Sequence, residues 1–392
     1  MTDAPLAPRV RLDRHELAGA FGDIGTDLPL IVGLIAFCGL DPASVCIVFG
    51  LLQMATGFVY GIPMPVQPLK AMAAIMLAQK LSPGTLAAGG IVIGATMLAL
   101  AATRSLDWLA RIVPPAVVRG IQLGLGLVLA RLALGEYAGA DGARGYVLMS
   151  VALLALLLLR KQHRVPGPLV VILIGVAYAF LHGLSAPAGG TLMGLSLPRF
   201  GVPTRDEFAR GALLLALPQL ALSLGNSVLA TSQATRDLFP ARAVGVTRIG
   251  FTYGLMNVIA PFFGGIPVCH GCGGLAGFHA FGARTGGAPI LYGAMFVIIG
   301  LLFAPGFATV VRLFPMPILG TVLLMESVSL MLLVGDVATD RRQLWIALLV
   351  GAAVIGLPNG YVVGLVGGTL IAHAVKRGWL GLPVSGTDSR EE

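Results

Sequence analysis

Gly61-Ile62-Pro63-Met64-Pro65-Val66-Gln67-Pro68-Leu69-Lys70 and Gly265-Ile266-Pro267-Val268-Cys269-His270-Gly271-Cys272-Gly273-Gly274 open with the same tripeptide, 204 positions apart. Each follows one long apolar run and begins another, so regular helix is interrupted at membrane depth. Broken backbone survives there only when it is buried in protein or lines a cavity. A matched pair of interruptions in two halves of a chain points to a transporter binding site.

Composition leaves little besides a polytopic helical membrane protein. Mean hydropathy is +0.89, and charged residues make up 11% of 392, against roughly a quarter in soluble domains. The apolar stretches are far longer than barrel strands. The 54 Gly and 25 Pro suit close helix packing and broken helices. Net charge of +8 is read as cytoplasmic loop charge rather than as a nucleic-acid surface. Cys38, Cys46, Cys269 and Cys272 all fall in apolar segments, which argues against a secreted disulfide framework. No apolar h-region precedes the first span, so a cleaved signal peptide is not expected.

Charges, Pro and Gly divide the apolar runs into fourteen segments. These are 17–37, 44–60, 67–80, 84–103, 117–134, 145–159 and 167–184, then 211–230, 243–263, 271–282, 287–307, 313–334, 343–357 and 359–375. The third and tenth are too short to cross alone and complete their crossings with the extended GIP stretches. Seven segments per half makes two inverted repeats, 17–184 and 211–375, joined by a polar connection at 185–210. Residues 1–16 and 376–392 read as cytoplasmic tails: 18 Lys and Arg fall in loops assigned inside and 7 in loops assigned outside. The expected location is the plasma membrane, the inner membrane of a bacterium.

If both short helices start near the midplane from opposite sides, their free N–H groups and positive dipole ends converge on one point, which suits an anion. Lys70 adds a full charge about one turn into its helix; a lone Lys at that depth costs roughly 2.5–3.5 kcal/mol. It therefore holds either a ligand or a carboxylate such as Asp23 or Asp27. Gln67 and Gln219 supply amides that can donate to an oxyanion, with Asn226 two turns beyond Gln219. Pro68 forbids regular helix up to the site, while Gly271 and Gly273 let backbone approach closely, with Cys272 between them and His270 adjacent to the cavity, where it could titrate. Asp23 and Asp27, at i and i+4, are candidates for proton coupling or for bracing Lys70, and Glu326 is a weaker coupling candidate. Cys269-His270-x-Cys272 is not read as a metal site, because a structural zinc needs four ligands and the other Cys and His are scattered. No Walker A motif occurs, no cofactor is implied, and no nucleophile and base stand at helical spacing as an enzyme would need.

Gly22-Asp23-Ile24-Gly25-Thr26, the first GIP decapeptide, Leu217-Pro218-Gln219 with Asn226-Ser227, and Pro267 to Ala276 followed by Phe281-Gly282-Ala283-Arg284-Thr285-Gly286 together resemble the molybdate transporter family of plants and bacteria, a relative of the sulfate permeases. The resemblance spans nearly the whole chain. It implies a fold similar to that of sulfate and uracil permeases, with core and gate domains and a site between the third and tenth helices. Three departures stand out: the family usually has Ser at position 272, Gln-Tyr-Arg near Phe278-His279-Ala280, and an aromatic at position 27. The tail after Arg377 is too short for the regulatory domain that sulfate permeases append. The expected function is secondary transport of a tetrahedral oxyanion, molybdate first and sulfate second, by alternating access, with proton coupling and a homodimer compatible. A channel or facilitator for small anions shares the same site. A nucleobase or aromatic carboxylate carrier is the rival reading, with Phe21, Tyr60 and Phe281 as its stacking candidates.

Overall fold

The computed structural model describes residues 8–106, 108, 112–159, 167–181, 192–307 and 315–381. Helix starts follow local chemistry. Asp41 and Ser82 cap α3 (Pro42–Tyr60) and α5 (Pro83–Ala102), each with Pro in the first turn, where no N–H is needed. Before them lie α1 (Arg14–Ala20), α2 (Ile24–Cys38) and, between the two, β1 (Gln67–Pro68) with the half-length α4 (Lys70–Gln79). Next come α6 (Pro115–Leu132), extended by a π-turn at Ala133–Tyr137, α7 (Gly142–Leu159) and α8 (Gly167–Leu181).

The second part of the chain begins with α9 (Arg205–Arg210), α10 (Leu217–Leu222) and α11 (Thr231–Leu238), joined by π-turns at Gly211–Ala216 and Ser223–Ala230. It continues with α12 (Val246–Ile259), β2 (Val268–Cys269), the half-length α13 (Cys272–Ala280) and α14 (Gly287–Leu302). It ends with α15 (Met316–Leu332), α16 (Arg341–Gly356) and α17 (Gly360–Lys376). Among the described residues, five helices are long and apolar enough to cross a membrane, or six if the run from Arg205 to Leu238, bent by 49°, is one span. The molecule is an integral multi-pass membrane protein.

Two packing groups emerge. In the first, α3 lies along α14 and α5 along α12; in the second, α6 packs on α15 and α16, and α16 on α17. Small residues allow the close crossings, as expected where lipid supplies no hydrophobic drive between helices. A Cβ on Gly50 of α3 would sit 2.4 Å from the Gly293 carbonyl oxygen of α14, and one on Gly286 would sit 2.0 Å from that of Gly57.

Three boundaries differ from the sequence reading. The expected span 17–37 breaks at Phe21-Gly22-Asp23 because Gly22 lies against the α13 backbone, where a Cβ would come within 2.4 Å of the Gly277 oxygen. The expected span 211–230 is the middle of a longer bent run, its π-turns deflecting the axis. Within the expected connection 185–210, residues 185–191 lie outside the described part; 192–204 form neither helix nor strand and 205–210 are already helical. There Glu207 accepts from the Thr204 backbone and the Ser82 hydroxyl, which holds its carboxyl below the usual range.

The N-terminal segment is tied across the first group. Glu16 is fully buried and accepts from the backbone N–H groups of Arg284, Thr285 and Ala288 at 3.0, 2.9 and 3.1 Å, which places a carboxylate at the N-terminus of α14.

Candidate functional site

After α3, Gly61 takes a left-handed conformation (φ 65°) and the chain runs extended to Leu69. After α12, a 3-10 turn ends at Gly264 (φ 68°) and the chain runs extended to Gly271. Backbone so placed must find partners inside the protein. The two stretches supply one another: β1 and β2 pair antiparallel, with Gln67 opposite Cys269 and Pro68 opposite Val268. Leu69 N donates to the Pro267 carbonyl at 3.0 Å.

The outer edges are met by one amide on each side. Gln53 donates to the Val66 carbonyl (2.8 Å) and accepts from the Val66 N–H (3.2 Å). Asn257 does the same for Val268, at 2.6 and 2.8 Å. Gln53 and Asn257 are themselves 204 positions apart.

The half-helices α4 and α13 begin directly beyond this pair. Lys70 is the first residue of α4, not one turn inside it as the sequence suggested, because Pro68 and the extended Leu69 delay the helix. The N–H groups of Ala71 and Met72 donate to Gln219 Oε1 at 3.0 and 3.3 Å. Gln219 Nε2 donates to Ser223 Oγ at 3.2 Å, and Ser223 Oγ is 2.7 Å from the Tyr253 hydroxyl. The amide expected to donate into the cavity therefore presents its oxygen to the helix N-terminus, where an anion's oxygen would otherwise go.

Gln67 Nε2 donates to Asp23 Oδ1 at 2.6 Å, and both residues are buried. This pair leans on the first turn of α13, so that a Cβ on Gly271 would fall 1.7 Å from Gln67 Oε1 and one on Gly274 2.3 Å from Asp23 Oδ2. A carboxylate beside a helix N-terminus is electrostatically favourable. Gly273, in contrast, faces open space.

A cavity of about 20 Å³ lies at the start of α4. Lys70 of α4, Gln219 and Leu222 of α10, Asn226 and Ser227 of the π-turn after it and Cys269 of β2 line it on one side; Gln122 and Leu125 of α6 and Leu330 of α15, from the second packing group, close the other. Cys272 Sγ donates to Asn226 Oδ1 at 3.2 Å. A cavity of this size holds about one water, so a tetrahedral oxyanion enters only if the walls part.

His270 is fully buried and belongs to the scaffold behind the cavity rather than to its wall. Its Nδ1 is 2.9 Å from the Pro65 carbonyl, which can only accept, so Nδ1 carries the proton. In the neutral ring Nε2 then accepts from Thr252 Oγ1 at 2.8 Å, and Thr252 accepts from the Tyr60 hydroxyl at 2.5 Å. The expected titrating histidine is a tether between the two extended stretches. Glu326 sits within α15, but its side chain lies outside the described part.

Of the residues singled out in the sequence, Lys70, Gln219 and Asn226 line the one cavity, and Gln67 and Asp23 pair beside the first turn of α13. Gln122 and Ser227 were missed. A polar residue inside the apolar run 117–134 was the available signal for Gln122.

Comparison with known proteins places this geometry in context. The family described as "Molybdate transporter of MFS superfamily" matches residues 15–129 and 211–330. Molybdate transporter 2 of Arabidopsis thaliana is 33% identical over 381 residues, 83% of this chain and 80% of that protein. Molybdate transporter 1 of Chlamydomonas reinhardtii is 30% identical over 482 residues, covering 92% of each. Among solved structures, the transmembrane domain of the cyanobacterial bicarbonate transporter BicA superposes with a TM-score of 0.63 at 16% identity, over 92% of this chain and 97% of that one. Murine Slc26a9, an anion transporter captured facing inward, gives 0.66 at 12% identity over 97% of this chain and 70% of that one.

Proposed function

The chain belongs to the molybdate transporter family, and from that premise we propose that it carries molybdate across the membrane by alternating access, as a secondary active transporter. It is an anion transporter rather than an enzyme. The observation that carries the substrate reading is the cavity at the start of α4: Lys70, two backbone N–H groups and the amides of Gln219 and Asn226 meet there. A cation and oriented donors recognise an oxyanion. None of the described residues lining the cavity is aromatic, which disfavours a nucleobase. Sulfate is the second reading, because a lysine and helix-end donors read charge and hydrogen-bond capacity rather than the central atom.

Alternating access draws support from the arrangement of the two groups. Helices α3 and α12 begin 204 positions apart, at Pro42 and Val246, and so do α5 and α14, at Pro83 and Gly287. Their packing is reciprocal, α3 on α14 and α12 on α5. This favours two inverted repeats, 17–184 and 211–375, of seven segments each, with the group around α4 and α13 as the mobile core and α6, α15, α16 and α17 as the gate. Asp23 and Asp27, beside Lys70, are the coupling acids in this reading, with Glu326 as a third candidate. A homodimer in the bacterial inner membrane completes it.

The test is uptake of molybdate by the purified protein in liposomes, with tungstate, sulfate and uracil as competitors. Saturable uptake blocked by tungstate and little affected by sulfate is expected. Lys70→Ala should weaken affinity while the protein still inserts. Uracil binding without oxyanion uptake would overturn the reading.

A further inference from the structure

We propose that Gln122 is the gate-side hydrogen-bond donor to the transported oxyanion and that Arg119 is the positioning residue that aims it. This rests on the cavity being the anion site. The wall contributed by the second packing group consists of Gln122, Leu125 and Leu330, so Gln122 is its one polar member among the described residues. Gln122 is 1% exposed. A polar group buried against leucines needs a partner, since leaving it without one is costly.

Half of its side chain is already committed. Arg119, one turn earlier on α6, donates from Nη1 to Gln122 Oε1 at 2.8 Å. A guanidinium only donates, so the contact fixes which end of the amide is oxygen. Arg119 is itself held from its other nitrogen, Nη2, by Asp336 in the turn after α15. With Oε1 engaged, the amide has only its two N–H donors left for the cavity. Among the described residues, Nε2 makes no hydrogen bond of its own. An amide locked in this sense offers donors to an oxyanion and no lone pair to repel it.

The wall it sits on gives this donor a distinct role. In the reading proposed above, Lys70, Gln219 and Asn226 move as the core with the first packing group, whereas Gln122 on α6 stays with the second, the gate. An anion bound to the first group keeps its core donors throughout a transport cycle and has Gln122 only while the two groups meet as they do here. Gln122 therefore raises affinity in this closed arrangement and releases its hold when the groups slide apart. It tunes KM more than the rate of the moving step.

Molybdate uptake kinetics in proteoliposomes test the assignment, with Gln122→Leu, Gln122→Met, Arg119→Gln, Asp336→Asn and Lys70→Ala measured beside the unaltered protein. Gln122→Leu and Gln122→Met should raise KM about tenfold with kcat changed less than twofold. Arg119→Gln should raise KM by a smaller factor that disappears in the Gln122→Leu background, because the two residues act as one unit. Asp336→Asn, which loosens the outer anchor of Arg119, should raise KM by no more than Arg119→Gln does. If Gln122→Met keeps the parental KM while Lys70→Ala loses uptake, the gate-side donor is wrong and the anion site stands. If Lys70→Ala also keeps the parental KM, the site reading itself fails. Additive effects of Arg119→Gln and Gln122→Leu would overturn the positioning role. Monodisperse elution of both Gln122 variants guards against a folding defect, since Met retains the volume of the replaced side chain.

Discussion

Gln219 shows how one side chain can hold a site closed. Its oxygen sits 3.0 Å from the Ala71 N–H, at the positive end of α4 and beside Lys70, so the protein supplies its own weak substitute for an anion. If the proposed site is right, an incoming oxyanion with full charge outcompetes a neutral amide there, because charge-assisted hydrogen bonds are roughly twice as strong as neutral ones. A resident carboxylate would not yield so easily. Gln219→Glu should therefore weaken molybdate binding by at least roughly tenfold, about 1.4 kcal/mol, while leaving the fold intact, and isothermal titration of the purified variant measures it. Unchanged affinity would show that the amide oxygen does not compete. These polar residues were legible in the sequence because each stands out against an apolar background. The orientation of the Gln219 amide and the tautomer of His270 were not: they depend on Ser223 and Tyr253 for the first and on Pro65, 205 positions away, for the second.

At the level of elements, the two interruptions were readable because Pro and Gly exclude regular helix wherever they occur in such numbers. Their mutual pairing was not, since two-residue strands carry no periodicity to detect. Nor was the break between α1 and α2, which a tertiary contact at Gly22 imposes on an otherwise continuous apolar run. What makes the short strands stable is the pair of amides behind them. Gln53 satisfies both backbone groups of Val66, and an apolar replacement strands a buried N–H and a buried carbonyl, each worth about 1–3 kcal/mol. Gln53→Leu should accordingly lower the thermal midpoint in detergent by many degrees and reduce the folded yield, with Gln53→Glu failing for a different reason, the burial of an added charge. A midpoint matching the parent would mean that β1 does not depend on this clamp.

Over the whole molecule, the N-terminal segment acts as a brace. Glu16 reaches from α1 to three backbone N–H groups around the start of α14, and α14 is the partner of α3, which leads into the first interruption. Glu16→Gln retains the shape but trades charge-assisted bonds for neutral ones and turns an N–H pair toward donors; a loss of about 2–3 kcal/mol is expected, read as a lowered midpoint in thermal unfolding. An unaltered midpoint would assign the segment no part in holding α14. The antiparallel pairing of Gln67 with Cys269 has a consequence of another kind, for biogenesis. When the ribosome has completed α4, the strand that must pair with β1 has not been synthesised, and some two hundred residues must follow before it is. The first half can enter the bilayer, but it does so with exposed main-chain groups that only the second half can answer. Such a nascent chain needs shelter at the insertion machinery until Val268 and Cys269 arrive, and a truncation anywhere before them yields a protein that reaches the membrane without ever possessing a place for its cargo.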